Sequence, residues 1–176
     1  MSKAFWAGVG TAVVAGLVVG YLSVILGLMP ANADSKPGKL ETWMAHHSLR
    51  ATLRREAPPG DNPLPADAAD LKAGLRLYSL NCAVCHGASD ARASHIAMGL
   101  YQHAPQLAQH GVEDDPDGVI YWKIAHGIRL TGMPSFDGAL TEKQLWQLTL
   151  FLKHMDALPP AVQKSWKALP SAAVKD

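Results

Sequence analysis

The stretch Cys82-Ala83-Val84-Cys85-His86 decides how this chain is interpreted. It holds both cysteines of the 176-residue sequence, and a histidine directly follows the second one. Two residues between the thiols let both sulfurs reach the vinyl groups on one edge of a porphyrin, and the next residue turns its imidazole beneath the metal. The C-x-x-C-H motif therefore predicts one covalently bound haem c, attached through Cys82 and Cys85, with His86 as an axial ligand of the iron.

Three other kinds of site contain a C-x-x-C pair: a thioredoxin-like redox site, half of a four-ligand zinc site, and a disulfide. No strand–helix–strand alternation surrounds this pair, and no two histidines follow it at the spacing of a zinc finger. Since the sequence has no second C-x-x-C-H, a single haem is predicted. Haem is the favoured interpretation, and the zinc and dithiol alternatives stay open.

A sixth iron ligand is expected further along the chain, because iron held by His and Met is the arrangement used for electron transfer. Met133 lies in a Thr-Gly-Met-Pro sequence, where Gly and Pro fix a loop between two helical patterns. Met98 follows His86 too closely to reach the opposite haem face easily, and Met155 ends an apolar helical run. Met133 is therefore the predicted ligand, and a buried loop methionine is the alternative.

A histidine in place of Met133 would give the iron two imidazole ligands. Five histidines are scattered along this part of the chain: His95, His103, His110, His126 and His154. His126 is the nearest rival, because it precedes Met133 by seven residues on a predicted helix. Its position away from the apolar positions Ile124 and Ile128 predicts an exposed side chain.

Three segments near the motif have helical periodicity, over residues 67–81, 117–128 and 141–155. Thr141 and the acceptors that follow it resemble a capping box. Gly74 in the first helix costs about 1 kcal/mol relative to Ala, so it predicts the close approach of another helix. No segment alternates apolar and polar residues in a sustained way. The predicted fold class is therefore all-α, a small helical domain around one covalent haem.

Taken together, these motifs resemble the class I c-type cytochromes, and the resemblance covers residues 67–158. That family has a glycine and an aromatic residue eight and four positions before the first haem cysteine, where this chain has Gly74 and Tyr78. The family's C-terminal helix packs an aromatic residue on that glycine, and Phe151 is the matching position. The resemblance also implies that Pro105 accepts a hydrogen bond from the axial histidine. The Gly-Met-Pro sequence around the expected sixth ligand is a further family pattern.

The resemblance implies a one-electron carrier that cycles haem c between Fe(III) and Fe(II) in a periplasmic or membrane-bound electron-transfer chain. The chain is then not an enzyme itself, but either a free carrier or the cytochrome subunit of an oxidoreductase complex. Redox proteins are its expected partners, with donor and acceptor unspecified. The alternative is a haem enzyme or gas sensor with a labile sixth ligand, against which the Gly-Met-Pro sequence argues.

Residues 1–33 are interpreted as a membrane anchor or a signal segment. Residues 4–29 carry no charge, and about 26 residues suffice to cross a bilayer core of about 30 Å as a helix. The sequence Ala-Asn-Ala at 31–33 is a cleavage pattern, so a soluble periplasmic protein that begins after Ala33 is the alternative. Under the anchored interpretation, which is favoured, the haem domain faces the periplasm from the bacterial inner membrane.

The remaining segments are interpreted as connections. Residues 34–66 form a Pro- and Gly-containing linker with one candidate helix over 40–56, and residues 159–176 form a C-terminal tail. The arginines of the candidate helix fit anionic headgroups or a partner, and a solvated face is the alternative. Nucleic acid is not expected as a partner, because the net charge is +1 and no DNA-binding motif occurs.

Overall fold

A computed structural model describes residues 2–171 of the chain. Met1 of the expected anchor and residues 172–176 of the expected tail lie outside the described residues. Within 2–171 the secondary structure is helical, apart from one isolated bridge between Asp137 and Leu140. The helices are α1 (Lys3–Ile25), α2 (Lys39–Glu56), α3 (Ala68–Asn81), α4 (Ala83–His86), α5 (His95–Met98), α6 (Asp117–His126), α7 (Glu142–Lys153) and α8 (Pro160–Lys167). The predicted all-α fold class is confirmed.

The chain divides into two compact units, and the boundary along the sequence lies between Ser35 and Lys36. The described part of the first unit contains α1, a helix of 23 residues with no buried residue. By length and composition α1 is able to cross a membrane. The second unit contains the other helices and the C-x-x-C-H motif.

Helices α3 and α7 begin where the sequence predicts, because each start has a side-chain cap. The carboxylate of Asp67 accepts hydrogen bonds from the backbone N–H groups of Ala69 and Asp70 at 2.9 and 2.8 Å. At the start of α7, Thr141 and Gln144 form a reciprocal capping box. Both caps satisfy backbone donors that have no partner inside the helix.

Helices α6 and α7 end two residues earlier than the periodicity predicts. The sequence predicts ends at Ile128 and Met155, whereas the structure ends α6 at His126 and α7 at Lys153. In α6 the cause is Gly127, whose φ of +66° leaves the right-handed helical region. The apolar periodicity continues past this residue, so hydrophobic spacing alone places the end of the helix too late.

Helices α3 and α7 cross in direct contact at Gly74. A Cβ atom built on Gly74 would collide with the carbonyl oxygen of Gln147 and would lie 2.7 Å from the Cβ of Phe151. The side-chain amide of the same Gln147 donates a 2.7 Å hydrogen bond to the carboxylate of Asp70. The predicted close approach at Gly74, with Phe151 packed on it, is confirmed.

Helix α6 also packs against α7. The rings of Tyr121 and Trp146 stack with their centroids 4.2 Å apart, and Ile120 and Ile124 of α6 are buried. Helices α3, α6 and α7 therefore form the centre of the second unit. The motif continues directly from the C-terminal end of α3.

A cluster of three aromatic rings extends this core beyond the boundary expected from the sequence. The ring centroids of Tyr78, Phe151 and Trp166 lie 5.4 to 5.6 Å from one another. Trp166 belongs to α8, where it and Val162 are buried on one face of the helix. The first part of the segment expected to be a tail, 159–176, therefore forms part of the core, because two apolar residues one turn apart dock α8 onto α3.

The segment expected to be a linker is also largely folded. The helix predicted over 40–56 is present as α2. After it, the backbone N–H of Asn62 donates to the carboxylate of Asp117 at 2.8 Å, and the amide of Asn62 donates to the carbonyl of Trp146 at 2.9 Å. These bonds attach the end of the segment to α6 and α7, so it is part of the second unit rather than a free tether.

The crossing at Gly74 generates a first prediction. We expect Gly74→Ala to lower the free energy of unfolding by about 1–3 kcal/mol, because the added methyl group forces α3 and α7 apart. Denaturant unfolding followed by circular dichroism measures the change. Gly99→Ala is the matched control, since a Cβ there meets only ordinary contacts at 3.4 Å or more. Equal unfolding midpoints for the two variants would contradict the argument.

Candidate functional site

The C-x-x-C-H motif folds into a single helical turn at the end of α3. The backbone N–H of Cys82 donates to the carbonyl of Tyr78 at 2.8 Å, which continues the bonding of α3. The N–H groups of Cys85 and His86 then both donate to the carbonyl of Cys82, at 3.0 and 2.8 Å. This turn places the side chains of Cys82, Cys85 and His86 along the wall of one cavity.

The cavity opens to solvent and has mainly apolar walls. Its accessible volume is about 280 Å³, close to the lower end of the range of about 300–1,000 Å³ that is usual for ligand pockets. Helices α2, α3, α4, α6 and α7 and the two loops around 100–112 and 128–136 form its walls. The apolar lining residues include Leu49, Leu100, Leu107, Val112, Ile120, Ile124, Ile128, Phe136 and Leu152. The cavity therefore has the apolar lining and the open side that suit a flat apolar cofactor with one edge exposed.

The imidazole of His86 is held by the backbone of Pro105. Its Nδ1 lies 2.9 Å from the Pro105 carbonyl oxygen, which can only accept, so Nδ1 carries the proton and Nε2 is left with its lone pair. Burial lowers the pKa of His86, and the hydrogen bond to Pro105 partly opposes this effect. Both the tautomer and the neutral charge are those of a metal-binding imidazole.

The backbone behind His86 is fixed by two side chains. The hydroxyl of Tyr78 lies 2.7 Å from the Gly87 carbonyl and 3.2 Å from the His86 carbonyl. Burial raises the pKa of Tyr78, so this hydroxyl remains a donor. The amide of Gln106 donates to the carbonyl of Cys85 at 3.1 Å. The sequence predicts the position of Tyr78 but gives no signal for Gln106, because that contact depends on how the loop folds back.

Gly87 is required where the motif ends. Its φ is +77°, a backbone conformation that residues with a side chain rarely adopt. A Cβ there would also collide with the side-chain oxygen of Gln106. The loop that follows returns to the motif, since the N–H of Leu107 donates to the carbonyl of His86 at 3.1 Å. A main-chain hydrogen bond thus ties this loop to the motif, in addition to the side-chain bonds of Tyr78 and Gln106.

Met133 lies on the wall of the same cavity and is half-buried. Its N–H donates to the hydroxyl of Thr131 at 3.1 Å, and its carbonyl accepts from the N–H of Ile128 at 3.2 Å. Gly127 lets the chain turn back tightly, because a Cβ there would lie only 2.6 Å from the Met133 oxygen and the Pro134 carbon. These contacts therefore hold in place the loop that carries the Met133 thioether at the cavity wall.

The rival ligands are less well placed. In the described part of the chain, Met133 is the only methionine that lines the cavity. Met98 is 52% exposed, and Met155 is buried in the core. His126 is exposed and packs its ring against Trp122, with centroids 5.0 Å apart. His103 does line the cavity, which the sequence does not predict because that residue shows no periodic pattern.

The donors around the cavity fit a covalently bound haem better than the other sites with a C-x-x-C pair. Burial, together with the nearby Cys85, raises the pKa of the Cys82 thiol to about 12. A redox dithiol needs a reactive thiolate, which this environment disfavours. Within residues 2–171 no group of three or more His, Cys, Asp or Glu is arranged to hold a metal ion. Two thiols, an imidazole and a thioether around an apolar cavity match the attachment and ligation of haem c.

Comparison with known proteins gives one family. Residues 69–152 match the family model described as "Cytochrome C oxidase, cbb3-type, subunit III". No curated protein and no solved structure matches the chain. The matched range runs from the first turn of α3 almost to the end of α7, so it includes the motif, the Pro105 loop and the Met133 loop. Helices α2 and α8 lie outside it.

The motif generates a prediction about attachment. When the chain is produced together with a haem-maturation pathway, we expect haem to stay on the polypeptide in a denaturing gel, because thioether bonds survive detergent and boiling. Haem-dependent peroxidase staining of the gel is the measurement. Cys82→Ala or Cys85→Ala should weaken the stained band, and the double variant should abolish it. A wild-type band without stain would contradict the haem interpretation.

Proposed function

Since residues 69–152 of this chain belong to the class I c-type cytochromes, we propose that the chain is a one-electron carrier with a single haem c. The proposal depends above all on one observation: Cys82, Cys85, His86 and Met133 all line the same apolar cavity. Two of these side chains would attach the haem, and the other two would ligate its iron. Bound there, the haem supplies the Fe(III)/Fe(II) couple.

The protein's own residues give this site the properties of a carrier. Pro105 keeps His86 in one tautomer and orientation, and the bonds of Thr131 and Ile128 hold the loop of Met133. Groups that move little between two charge states cost little reorganisation energy, as with other preorganised sites. The apolar walls would limit the contact of the haem with water, and burial is one of the factors that set the reduction potential of a haem.

A haem enzyme or gas sensor is the alternative function. Such a protein needs an open or labile sixth position, whereas Met133 faces the cavity on a loop that is bonded on both sides. The hydrogen bonds that hold the Met133 loop therefore favour the electron carrier over the enzyme or sensor. Among the cavity residues that the structure describes, His103 is the one other histidine besides His86. It is therefore the candidate to replace Met133 as an iron ligand if the thioether dissociates.

Location and partners follow as further parts of the proposal. Helix α1 is proposed as an uncleaved anchor in the bacterial inner membrane, with the haem domain on the periplasmic side. Redox proteins are the proposed donor and acceptor, and the net charge of +1 gives no strong electrostatic steering toward them. The matched family model is named for an oxidase subunit, which supports a place as the cytochrome subunit of a larger complex.

Carbon monoxide binding separates the carrier from the alternative. We expect the reduced protein to bind carbon monoxide slowly or not at all, because Met133 must leave before another ligand reaches the iron. Stopped-flow mixing measures the rate. Met133→Ala should bind rapidly and lose the near-infrared signature of thioether ligation. Met98→Ala is the control and should behave like the wild type, since Met98 lies away from the cavity. Rapid, stoichiometric binding by the wild type would overturn the carrier proposal.

The anchor generates a separate prediction. We expect the mature protein to retain residues before Ala33 and to stay with the membrane fraction after a carbonate wash, because α1 is long and apolar enough to span a bilayer. Intact-mass spectrometry of the purified protein gives the N-terminus. A soluble protein that begins at Asp34 would show instead that α1 is a cleaved signal.

A further inference from the structure

Helix α2 lies outside the residues that match the family, yet it forms part of the cavity wall. Leu49 lines the same cavity as His86 and Met133 and is half-buried. The opposite face of α2 has a different environment, since Trp43 is 57% exposed and Met44 is 51% exposed. Helix α2 therefore presents one face to the cavity and the other to the outside of the second unit.

The N-terminal end of α2 is joined to a loop that reaches the Met133 segment. The hydroxyl of Tyr101 donates a 2.7 Å hydrogen bond to the carboxylate of Glu41. The neighbouring Leu100 lines the cavity and packs closely on Gly132, where a Cβ would lie 2.6 Å from a Leu100 methyl carbon. Gly132 directly precedes Met133. A chain of contacts thus runs from α2 through Tyr101 and Leu100 to the thioether loop.

The C-terminal end of α2 is attached to the opposite part of the unit. A Cβ on Gly118 of α6 would collide with the carbonyl oxygen of Pro58, so the chain just after α2 lies directly against α6. The bonds of Asn62 to α6 and α7 follow within a few residues. Helix α2 is therefore held at both ends, with Leu49 between them at the cavity.

We propose that α2 is a wall of the haem cavity that keeps small ligands away from the iron and positions the Met133 loop. Leu49 closes the cavity directly, and the pair of Glu41 and Tyr101 holds Leu100 against Gly132. The inference rests on the proposed function, because it concerns access to a haem bound in this cavity. It adds a positioning role to a segment that the sequence assigns to a linker.

The first test shortens two side chains of similar size on α2 to alanine, in the full-length protein with haem attached. Leu49→Ala opens the cavity wall, and Met44→Ala shortens an exposed side chain of similar size on the other face. We expect Leu49→Ala to accelerate carbon monoxide binding by a factor of about 5–30, because losing one core-sized contact shifts a local opening equilibrium by that order. Its midpoint potential should also fall as water gains access, whereas Met44→Ala should match the wild type in both measurements.

The second test removes the hydrogen bond between Tyr101 and Glu41, at the N-terminal end of α2, without changing a residue that lines the cavity. Tyr101→Phe keeps the ring and deletes the hydroxyl that donates to Glu41. We expect faster hydrogen exchange of the backbone amides of 99–103, and faster carbon monoxide binding, at an unchanged midpoint of denaturant unfolding. A merely structural role would lower the unfolding midpoint and leave the binding rate alone. Because Tyr101 and Glu41 meet at an exposed site, this variant should fold and bind haem normally. It therefore tests the role of α2 even if Leu49→Ala does not fold.

The outcomes distinguish this inference from the function it rests on. Rapid carbon monoxide binding by the wild type would defeat the carrier proposal itself. Slow binding by the wild type, with Leu49→Ala and Tyr101→Phe both as slow as Met44→Ala, would leave the carrier standing and overturn the role of α2. Faster binding by Leu49→Ala or Tyr101→Phe with Met44→Ala unchanged would support it.

Discussion

The contact between α3 and α7 at Gly74 is the constraint on which the site depends. No side chain fits between Gly74 and the backbone of Gln147, so the two helices meet at main-chain distance. Helix α3 ends at Asn81 and the motif occupies the next five residues, so the position of α3 determines where the thiols and His86 lie. Tyr78, one turn after Gly74, carries the same constraint to the carbonyls of His86 and Gly87. The packing of two helices thus fixes the geometry of one side of the cavity.

The two sides of the cavity are held by different means. On the His86 side, backbone carbonyls are bound by the side chains of Tyr78 and Gln106, and the imidazole is bound by a carbonyl. On the Met133 side, the loop bonds mainly to itself, and a neighbouring segment supports it from outside. The thioether is also a weak, soft donor compared with an imidazole. The methionine side is therefore the one whose position depends on distant parts of the chain.

Much of this structure was predictable from the sequence, because the decisive signals are local. The cap at Asp67 and the spacing of Cys82 and Cys85 each act within a few residues, and Gly74 is recognised from its cost inside a helix as well as through the resemblance. The burial of α8 and the contact of α2 with the cavity were not predicted, since both depend on contacts between residues far apart in the chain. For α8 a signal existed: Val162 and Trp166 are one turn apart, as the apolar face of a docked helix requires. For Leu49 the signal is weaker: Leu53 lies one turn later, but on a helix otherwise rich in polar and charged residues, a pattern that a solvated helix also has.

The position of Trp166 in the chain has a consequence for the order of events during synthesis. Its ring completes the cluster with Tyr78 and Phe151, but it is made long after the C-x-x-C-H motif. Chains are released from the ribosome beginning at the N-terminus, and a domain closes only when all its parts have appeared. The two thiols therefore emerge while the core behind them still lacks its last helix. The cysteines, which the finished fold leaves half-buried on the wall of an open cavity, thus appear before the aromatic cluster behind them is complete.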